Sequence, residues 1–368
     1  RSAIGYLLSG TKPVTPAQIG QDVHALADSG VDVGVDAPEL DPGSSLPRAT
    51  RLKPREALPA LTIAPPYEAR FDRLWSISSY SALVRDVGRT LQAGSVGVPL
   101  RVLRDDEPSE TDAGAAELRR PADVPWHRFP RGAFAGNFLH GLLEWLAGEG
   151  FALDDSASLQ QALIGRCERQ GWGHRADDVS EWLRRVCATP IPALGAPLAG
   201  LAGVLPEMEF WFPSDGLRAR GVDELCRQQV LPGRPRPELP ERALRGMLMG
   251  FADLVFEHGG RYWVLDYKSN VLGARDADYT QAAMEGAMLE HRYDVQAALY
   301  LLALHRLLRL RLGAAYAPTR HLGGAVYFFL RGVHSASAGC FHLPPPMGLI
   351  DGLEAMLTPS PGSAGVAA

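Results

Sequence analysis

Cysteine is scarce in this chain of 368 residues, where Cys167, Cys187, Cys226 and Cys340 stand far apart. No CxxC pair occurs among them and no histidine sits at zinc-ligand spacing, which argues against a structural zinc site or a disulfide framework. They read as reduced thiols, in the core or at the surface, of a cytoplasmic protein. Long apolar runs are missing too, so no segment reads as a membrane span, and no signal peptide opens the chain. The net charge of −5 argues against a surface that binds nucleic acid everywhere, while leaving room for a local basic groove. The opening RSAIGYLLSG reads as the continuation of a helix, so the chain is expected to be the C-terminal piece of something longer.

A nucleotide site is also lacking. Gly5 to Pro13, GYLLSGTKP, has the two glycines of a phosphate-binding loop but then Thr-Lys-Pro, which moves the ammonium off its place. No strand precedes it. Residues 13–75 are rich in Pro, Asp, Gly and Ala without sustained periodicity and read as a linker.

What is present is enough for one large domain with an appendage, or for two domains: 46% of residues are hydrophobic. In SISSYSALVRDV (76–87) the serines offer N-caps for a helix. Residues 103–125 read as an acidic surface loop, and helical periods dominate from FPRGAFAGNFLHGLLEWLAGEG to about residue 188. Strand-like runs follow at 204–212, 245–257 and 261–268, then one long helix over 278–312, then a buried strand in GGAVYFFLRG (323–332). The tail TPSPGSAGVAA has the composition of a disordered segment. Helices around a mixed sheet make an α/β domain.

The stretch VLDYKSN (264–270) is the most informative, because a strand that only filled a core would not end on an acid, an aromatic, a base and an amide. It lies in GMLMGFADLVFEHGGRYWVLDYKSN, two strand-like runs around Gly259-Gly260, a dipeptide suited to a two-residue hairpin turn. If His258 and Arg261 close that turn, Asp253 lies opposite Asp266. Directly opposed like charges destabilise a sheet unless something sits between them, and a divalent cation would turn the penalty into a site. Asp266 and Lys268 share one face of their strand, Leu265 and Tyr267 the other. Two carboxylates and an ammonium on one face suit metal-assisted hydrolysis, with lysine beside the activated water. A three-residue turn would instead pair Glu257 with Arg261 and send the two carboxylates to opposite sides of the sheet. The bland alternative makes Asp266 and Lys268 a solvated strand end.

These segments, with YTQAAMEGAMLEHRYDVQAALYLLALHRLL, FPRGAFAGNFLHGLLEWL, EMEFWFP and GGAVYFFLRGV, resemble the C-terminal nuclease domain of the RecB family, within the PD-(D/E)XK nucleases. The likeness runs from about Trp75 to Leu357. It implies a restriction-endonuclease-like α/β core, a central mixed sheet flanked by helices, over 76–368. It also implies that 1–75 is the end of a helicase region plus linker. Metal ligands are then implied at His140 of GNFLHGLLE, at Asp253 of the GxxD pattern whose glycine is Gly250, at Asp266, at the Tyr267 carbonyl, and at Glu207 of EMEF. Glu209 is the alternative to Glu207, on the same face by alternation. Lys268 completes the DYK signature, and Gln296 and Tyr300 match QxxxY, placed to reach a DNA phosphate or to orient the lysine.

The resemblance further implies one or two Mg²⁺ ions, DNA as substrate in the form of single strands fed from a duplex end, and RecC-like and RecD-like partner subunits. Candidate phosphate contacts are Arg119, Arg120, His127, Arg128 and Arg131; Arg234 and Arg236; and Arg306, Arg309, Arg311 and Arg320. Trp263, Tyr267 and Tyr293 are candidates for base stacking or for the core. The alternative function is a catalytically silent scaffold or DNA-binding module. A degenerate module should have lost one of His140, Asp253, Asp266 and Lys268, and all are present. The iron-sulfur-stapled branch of these nucleases is set aside, since the cysteines lack its clustered C-terminal spacing.

Overall fold

The computed structural model describes residues 75–84, 124–214 and 217–357, together with residues 15, 18, 21, 24 and 25. The chain divides into two units, Arg1–Ala69 and Arg70–Ala368, and the sheet belongs to the second. The expectations for the opening helix, the GYLLSGTKP loop, nearly all of the 13–75 linker, most of the 103–125 loop, Arg119, Arg120 and the tail fall outside the described residues.

Six strands form one mixed sheet: β1 (Ser76–Ser79), β2 (Ala202–Pro213), β3 (Gly246–His258), β4 (Arg261–Lys268), β5 (Leu322–Phe329) and β6 (Cys340–Leu343), in the order β1-β3-β4-β5-β6 with β2 also on β3. The β3–β4 hairpin closes as the glycines dictate. Gly259 and Gly260 both take positive φ (62° and 75°) and His258 pairs with Arg261. That turn fits the right-handed twist of the flanking strands. The ladder runs to Leu254↔Leu265 and stops there, and one further step in the same register sets Asp253 across from Asp266. Beyond it β3 pairs instead with β1, in parallel, at Ser76↔Gly246 to Ser79↔Met249. β4 continues alone on that side, paired in parallel with β5 as far as Lys268↔Phe329. A crevice therefore opens where β3 and β4 part.

The two faces of the sheet carry two apolar cores, which makes a layered α/β/α sandwich. On one side α1 (Ala133–Gly148), α2 (Ala157–Arg169) and α3 (Ala176–Ala188) bury Leu139, Leu142, Leu143 and Trp182 against Leu254, Leu265, Tyr267 and Phe328. On the other, α4 (Ala219–Gln229), α5 (Gln281–Glu290), α6 (Tyr293–Leu312) and α7 (Met347–Leu357) close over Phe210, Val264, Tyr327 and Phe329. Alternation along β5 sorts Val326 and Phe328 to the first core and Tyr327 and Phe329 to the second.

In β2 and β3 that alternation reverses. Val204 packs toward the first core but Met208 and Phe210 lie in the second; Leu254 and Phe256 lie in the first but Leu248 and Ala252 in the second. The reversal falls at Glu207, which has φ 51°, and at Asp253. A non-glycine residue in the left-handed region carries local strain and re-aims its neighbours. Gly250 is fixed by packing: it pairs with Phe210, whose ring occupies the place a Cβ would take.

Several expectations need correction. The serines of SISS form β1, because the N-terminal half of β3 has an edge to pair, and a helix follows directly from Ser79 at Tyr80–Val84. The single helix expected over 278–312 is two, broken at Arg292, which sits at φ 59° with its guanidinium bonded to buried Asp294 and Asp223. The strand expected over 323–332 ends at Phe329, and Leu330–Gly332 forms a tight turn that buries Arg331. All four cysteines are free and buried, so the surface alternative falls away.

Candidate active site

The crevice between β3 and β4 collects charge that neither core could otherwise hold. Asp253 reaches into it from β3, and its Oδ2 accepts a 2.8 Å hydrogen bond from the backbone N–H of Tyr267. From α1, whose buried leucines fix its orientation, His140 brings Nδ1 to 3.3 Å from the same oxygen. Burial alone would lower the His140 pKa, but the Asp253 charge and hydrogen bond outweigh it and raise the pKa to about 9, Asp266 adding to the rise and Lys268 opposing it. Burial would raise the Asp253 pKa, and the same imidazole, Lys268 and the Tyr267 N–H hold it below the ordinary carboxylate range. The two side chains form a charged pair at neutral pH.

Asp266 and Lys268 point to the α6 side of the sheet. Lys268 Nζ lies 2.7 Å from Asp266 Oδ2, and both residues are about 1% exposed. The ammonium also rests 4.0 Å from the centroid of the Tyr293 ring, the first residue of α6, and 5.7 Å from that of Tyr327. Tyr267 between them turns the other way, its ring edge-on to His140 at 6.0 Å, with burial pushing its phenol well above 10. The rest of VLDYKSN is held as well: Arg331 donates to the Ser269 carbonyl at 2.9 Å, and the Tyr293 hydroxyl donates to Asn270 Oδ1 at 3.2 Å. The mixed polar end of this strand is thus buried and bonded.

The structure brings His140, Asp253, Tyr267, Asp266 and Lys268 together. Glu207 lies across β2–β3 from Asp253, between the pairs Pro206↔Leu254 and Met208↔Ala252, and its charge bears on the Tyr267 phenol. Glu209 does not share its surroundings: past the reversal at Glu207 it is exposed and accepts from Trp211 Nε1 at 2.9 Å. Gln296 Nε2 donates to the Tyr300 hydroxyl at 2.9 Å, and both are buried on α6, one and two turns beyond Tyr293.

Among the proposed phosphate contacts, Arg236 is wrongly cast. Its guanidinium is buried, 2.7 Å from Asp294 and bonded to the carbonyls of Val230 and Leu231. Arg128 is paired with Asp178, Arg234 with Glu285, and Arg306 and Arg309 with Glu354; His127 bonds Asp276. Arg131, Arg311 and Arg320 are exposed. Trp263, Tyr267 and Tyr293 are buried in the cores, which removes them as base-stacking platforms. Missing from the sequence expectations are Tyr327, Arg331 and the role of Tyr293. The available signal was spacing, since Tyr293 precedes Gln296 by one helical turn and so shares its face.

Among the described residues no cluster of three or more His, Cys, Asp or Glu side chains is arranged around a common centre. His140 engages Asp253, and Asp266 engages Lys268. The donors nonetheless suit a hard divalent cation: carboxylate oxygens, the backbone carbonyl of Tyr267 and one imidazole, within one crevice.

Residues 116–346 match the sequence profile of the PD-(D/E)XK nuclease superfamily. The chain is similar to the RecBCD enzyme subunit RecB of Escherichia coli K12, 38% identical over 296 residues, covering 77% of this chain and 23% of that protein. It is also similar to the subunit of the same name from Mycolicibacterium smegmatis, 31% identical over 338 residues, covering 83% of this chain and 31% of that protein. The chain thus spans about a quarter to a third of the length of these relatives. No helix among the described residues is long and apolar enough to cross a membrane.

Proposed function

The chain belongs to the PD-(D/E)XK nuclease superfamily, and from that membership we propose that it is the nuclease domain of a RecB-type helicase-nuclease, hydrolysing DNA phosphodiester bonds during double-strand break repair. The observation that carries this is the meeting of the His140–Asp253 and Asp266–Lys268 pairs where β3 and β4 part. The relatives' printed name supports a complex with RecC-like and RecD-like subunits, and the substrate proposed is single strands of DNA fed from a duplex end.

Mg²⁺ is the cation proposed, held by His140, Asp253, Asp266 and the Tyr267 carbonyl, with Glu207 available to a second ion. Such a cation supplies Lewis acidity to a phosphate oxygen and makes a water more acidic. The protein's own groups do the rest. The Tyr267 N–H fixes the Asp253 carboxylate, so two ligands from different strands keep a set separation. Lys268 holds a positive charge beside Asp266, where it counters charge developing on the phosphate and orients the attacking water. Gln296 and Tyr300, bonded to each other, brace the face of α6 that begins at Tyr293.

The test is digestion of linear single-stranded DNA by this chain and by Asp266→Ala, with Mg²⁺ and with EDTA. Cleavage by the parent alone, and only with Mg²⁺, is the expected result. Equal cleavage by both proteins would remove the catalytic assignment, and cleavage in EDTA would remove the metal. All four members of the metal and lysine set being present and close weighs against the silent-scaffold alternative.

A further inference from the structure

Lys268 is one of three lysines in the chain, with Lys12 and Lys53, and it is buried. Its ammonium meets one carboxylate oxygen, Asp266 Oδ2, at 2.7 Å and the face of Tyr293 at 4.0 Å. The Tyr293 and Tyr327 rings are stacked, 5.8 Å apart and inclined by 17°. Both are pinned through their hydroxyls: Tyr293 donates to Asn270 Oδ1 at 3.2 Å, and Tyr327 donates to the Tyr293 carbonyl at 3.0 Å. Because Asn270 is two residues past Lys268, the strand that bears the ammonium and the ring beneath it are tied together.

The ring's place also depends on the helix break. Arg292 enters the left-handed region, where its guanidinium donates to Asp294 Oδ1 at 3.0 Å, lies 2.6 Å from Asp223 Oδ1 and donates to the Pro237 carbonyl at 2.7 Å. A continuous helix would rotate Tyr293 away from that position. An ammonium over an aromatic face is held most strongly where water is excluded, as here. Beside the ion pair with Asp266, the ring face adds a second, directional restraint on where the buried ammonium lies.

We propose that Tyr293 is a positioning residue for Lys268: its ring face fixes the ammonium beside Asp266, and so toward the scissile phosphate. The catalytic half of this statement rests on the nuclease reading above; the hold on the ammonium does not. Phe at position 293 keeps the ring face and loses the hydroxyl with its bond to Asn270, whereas Leu removes the π-face. Fluorinated phenylalanines keep the shape and drain the face of negative potential, a change to which simple packing is indifferent.

The experiment compares the parent chain with Tyr293→Phe, Tyr293→Leu and a series carrying one, two and three ring fluorines at position 293. Cleavage of linear single-stranded DNA with Mg²⁺ is one readout. The other is the NMR spectrum of protein labelled with ¹³C-lysine, in which only three lysines report. We expect kcat to stay within about threefold of the parent for Phe and to fall stepwise with each fluorine, reaching roughly tenfold or more with three, at unchanged KM. The Lys268 ε-methylene protons should be shifted upfield by the ring in the parent and in Tyr293→Phe, and not in Tyr293→Leu. A kcat flat across the fluorine series, or Lys268 ε protons unshifted in the parent, would overturn the proposal. Absence of cleavage by the parent, with the upfield signal intact, would sink the nuclease reading and leave the hold of Tyr293 on Lys268 standing.

Discussion

The Oδ2 atom of Asp253 accepts the backbone N–H of Tyr267 at 2.8 Å, a side chain of one strand satisfying the main chain of the next just past the last rung of their ladder. A carboxylate does there what a carbonyl would do in a continued sheet, and it keeps its second oxygen for other partners. The sheet thus opens without stranding a buried amide, which would be costly.

Asp253 therefore has two separable duties, and two substitutions divide them. Asp253→Asn retains an oxygen that can accept from Tyr267 and loses only the charge that His140 and the cation share, so the Tyr267 amide stays satisfied while cleavage and Mn²⁺ uptake collapse. Asp253→Ala should lose both, with a further destabilisation of about 1–3 kcal/mol from the unpaired amide. Urea unfolding and calorimetric Mn²⁺ titration measure the two effects. Equal destabilisation by Asn and Ala would contradict the division.

The pair with His140 sets a pH dependence in the metal-free protein. The imidazole titrates near 6.5 in an unfolded chain and at about 9 when folded, so between those values the folded protein keeps a proton that the unfolded chain has released. Stability from this group is complete below the lower value and disappears as pH rises through the upper one. In EDTA the urea midpoint should fall across that window, and His140→Gln should flatten the slope. A parent midpoint that rises with pH there would show the sign to be wrong.

Arg331 is the second buried cation at the end of this strand, and its duty is architectural. It donates to the carbonyls of Ser269 (2.9 Å), Trp126 (2.6 Å), Phe129 (3.0 Å) and Pro130 (2.6 Å), joining the segment ahead of α1 to the residue after Lys268. Arg331→Met fills similar volume and leaves those carbonyls without their donor, for a loss of about 3–5 kcal/mol. Hydrogen exchange should show faster opening around residues 126–130. A variant as stable as the parent would mean that water replaces the guanidinium at no cost.

How much of this was legible in the sequence depended on how local its cause was. The β3–β4 register was legible because Gly259-Gly260 suits a tight turn and the strands alternate regularly from it as far as Leu254 and Leu265. From that turn the opposition of Asp253 and Asp266 along the ladder followed by counting, but not a shared face: past the reversal at Asp253 its carboxylate meets His140 of α1, while Asp266 points to the α6 side with Lys268. The break at Arg292 was not legible: the carboxylate of Asp223 that helps to hold it lies far away in sequence, and an arginine carries no local preference for the left-handed region. Nor does EMEF signal that alternation reverses at Glu207, which is why Glu209 was expected on the same face. His140 came from resemblance, since its position on α1 looks by periodicity like any other on an apolar helix.

The turn itself offers the sharpest test of that counting. One extra glycine between Gly259 and Gly260 lengthens the loop, and the strands have two ways to absorb it. If the added residue bulges out of the turn, His258 still pairs with Arg261, and cleavage and metal uptake stay near parental values. If the ladder slips by one residue to keep a two-residue turn, every side chain of β4 changes face, and Leu265 and Tyr267 would have to leave their core. Burying those two residues is worth about 1.5–3 kcal/mol each, so the slip is the costlier outcome and the bulge is expected. Two substitutions sharpen the point. Gly259→Asn, a residue that tolerates positive φ, should cost little, whereas Gly259→Val at φ 62° should cost on the order of 1–2 kcal/mol and leave metal uptake intact. Thermal unfolding and Mn²⁺ titration of the three proteins measure this. Loss of metal uptake in Gly259→Val with the fold retained would mean that the two cores cannot hold the register once the turn is strained.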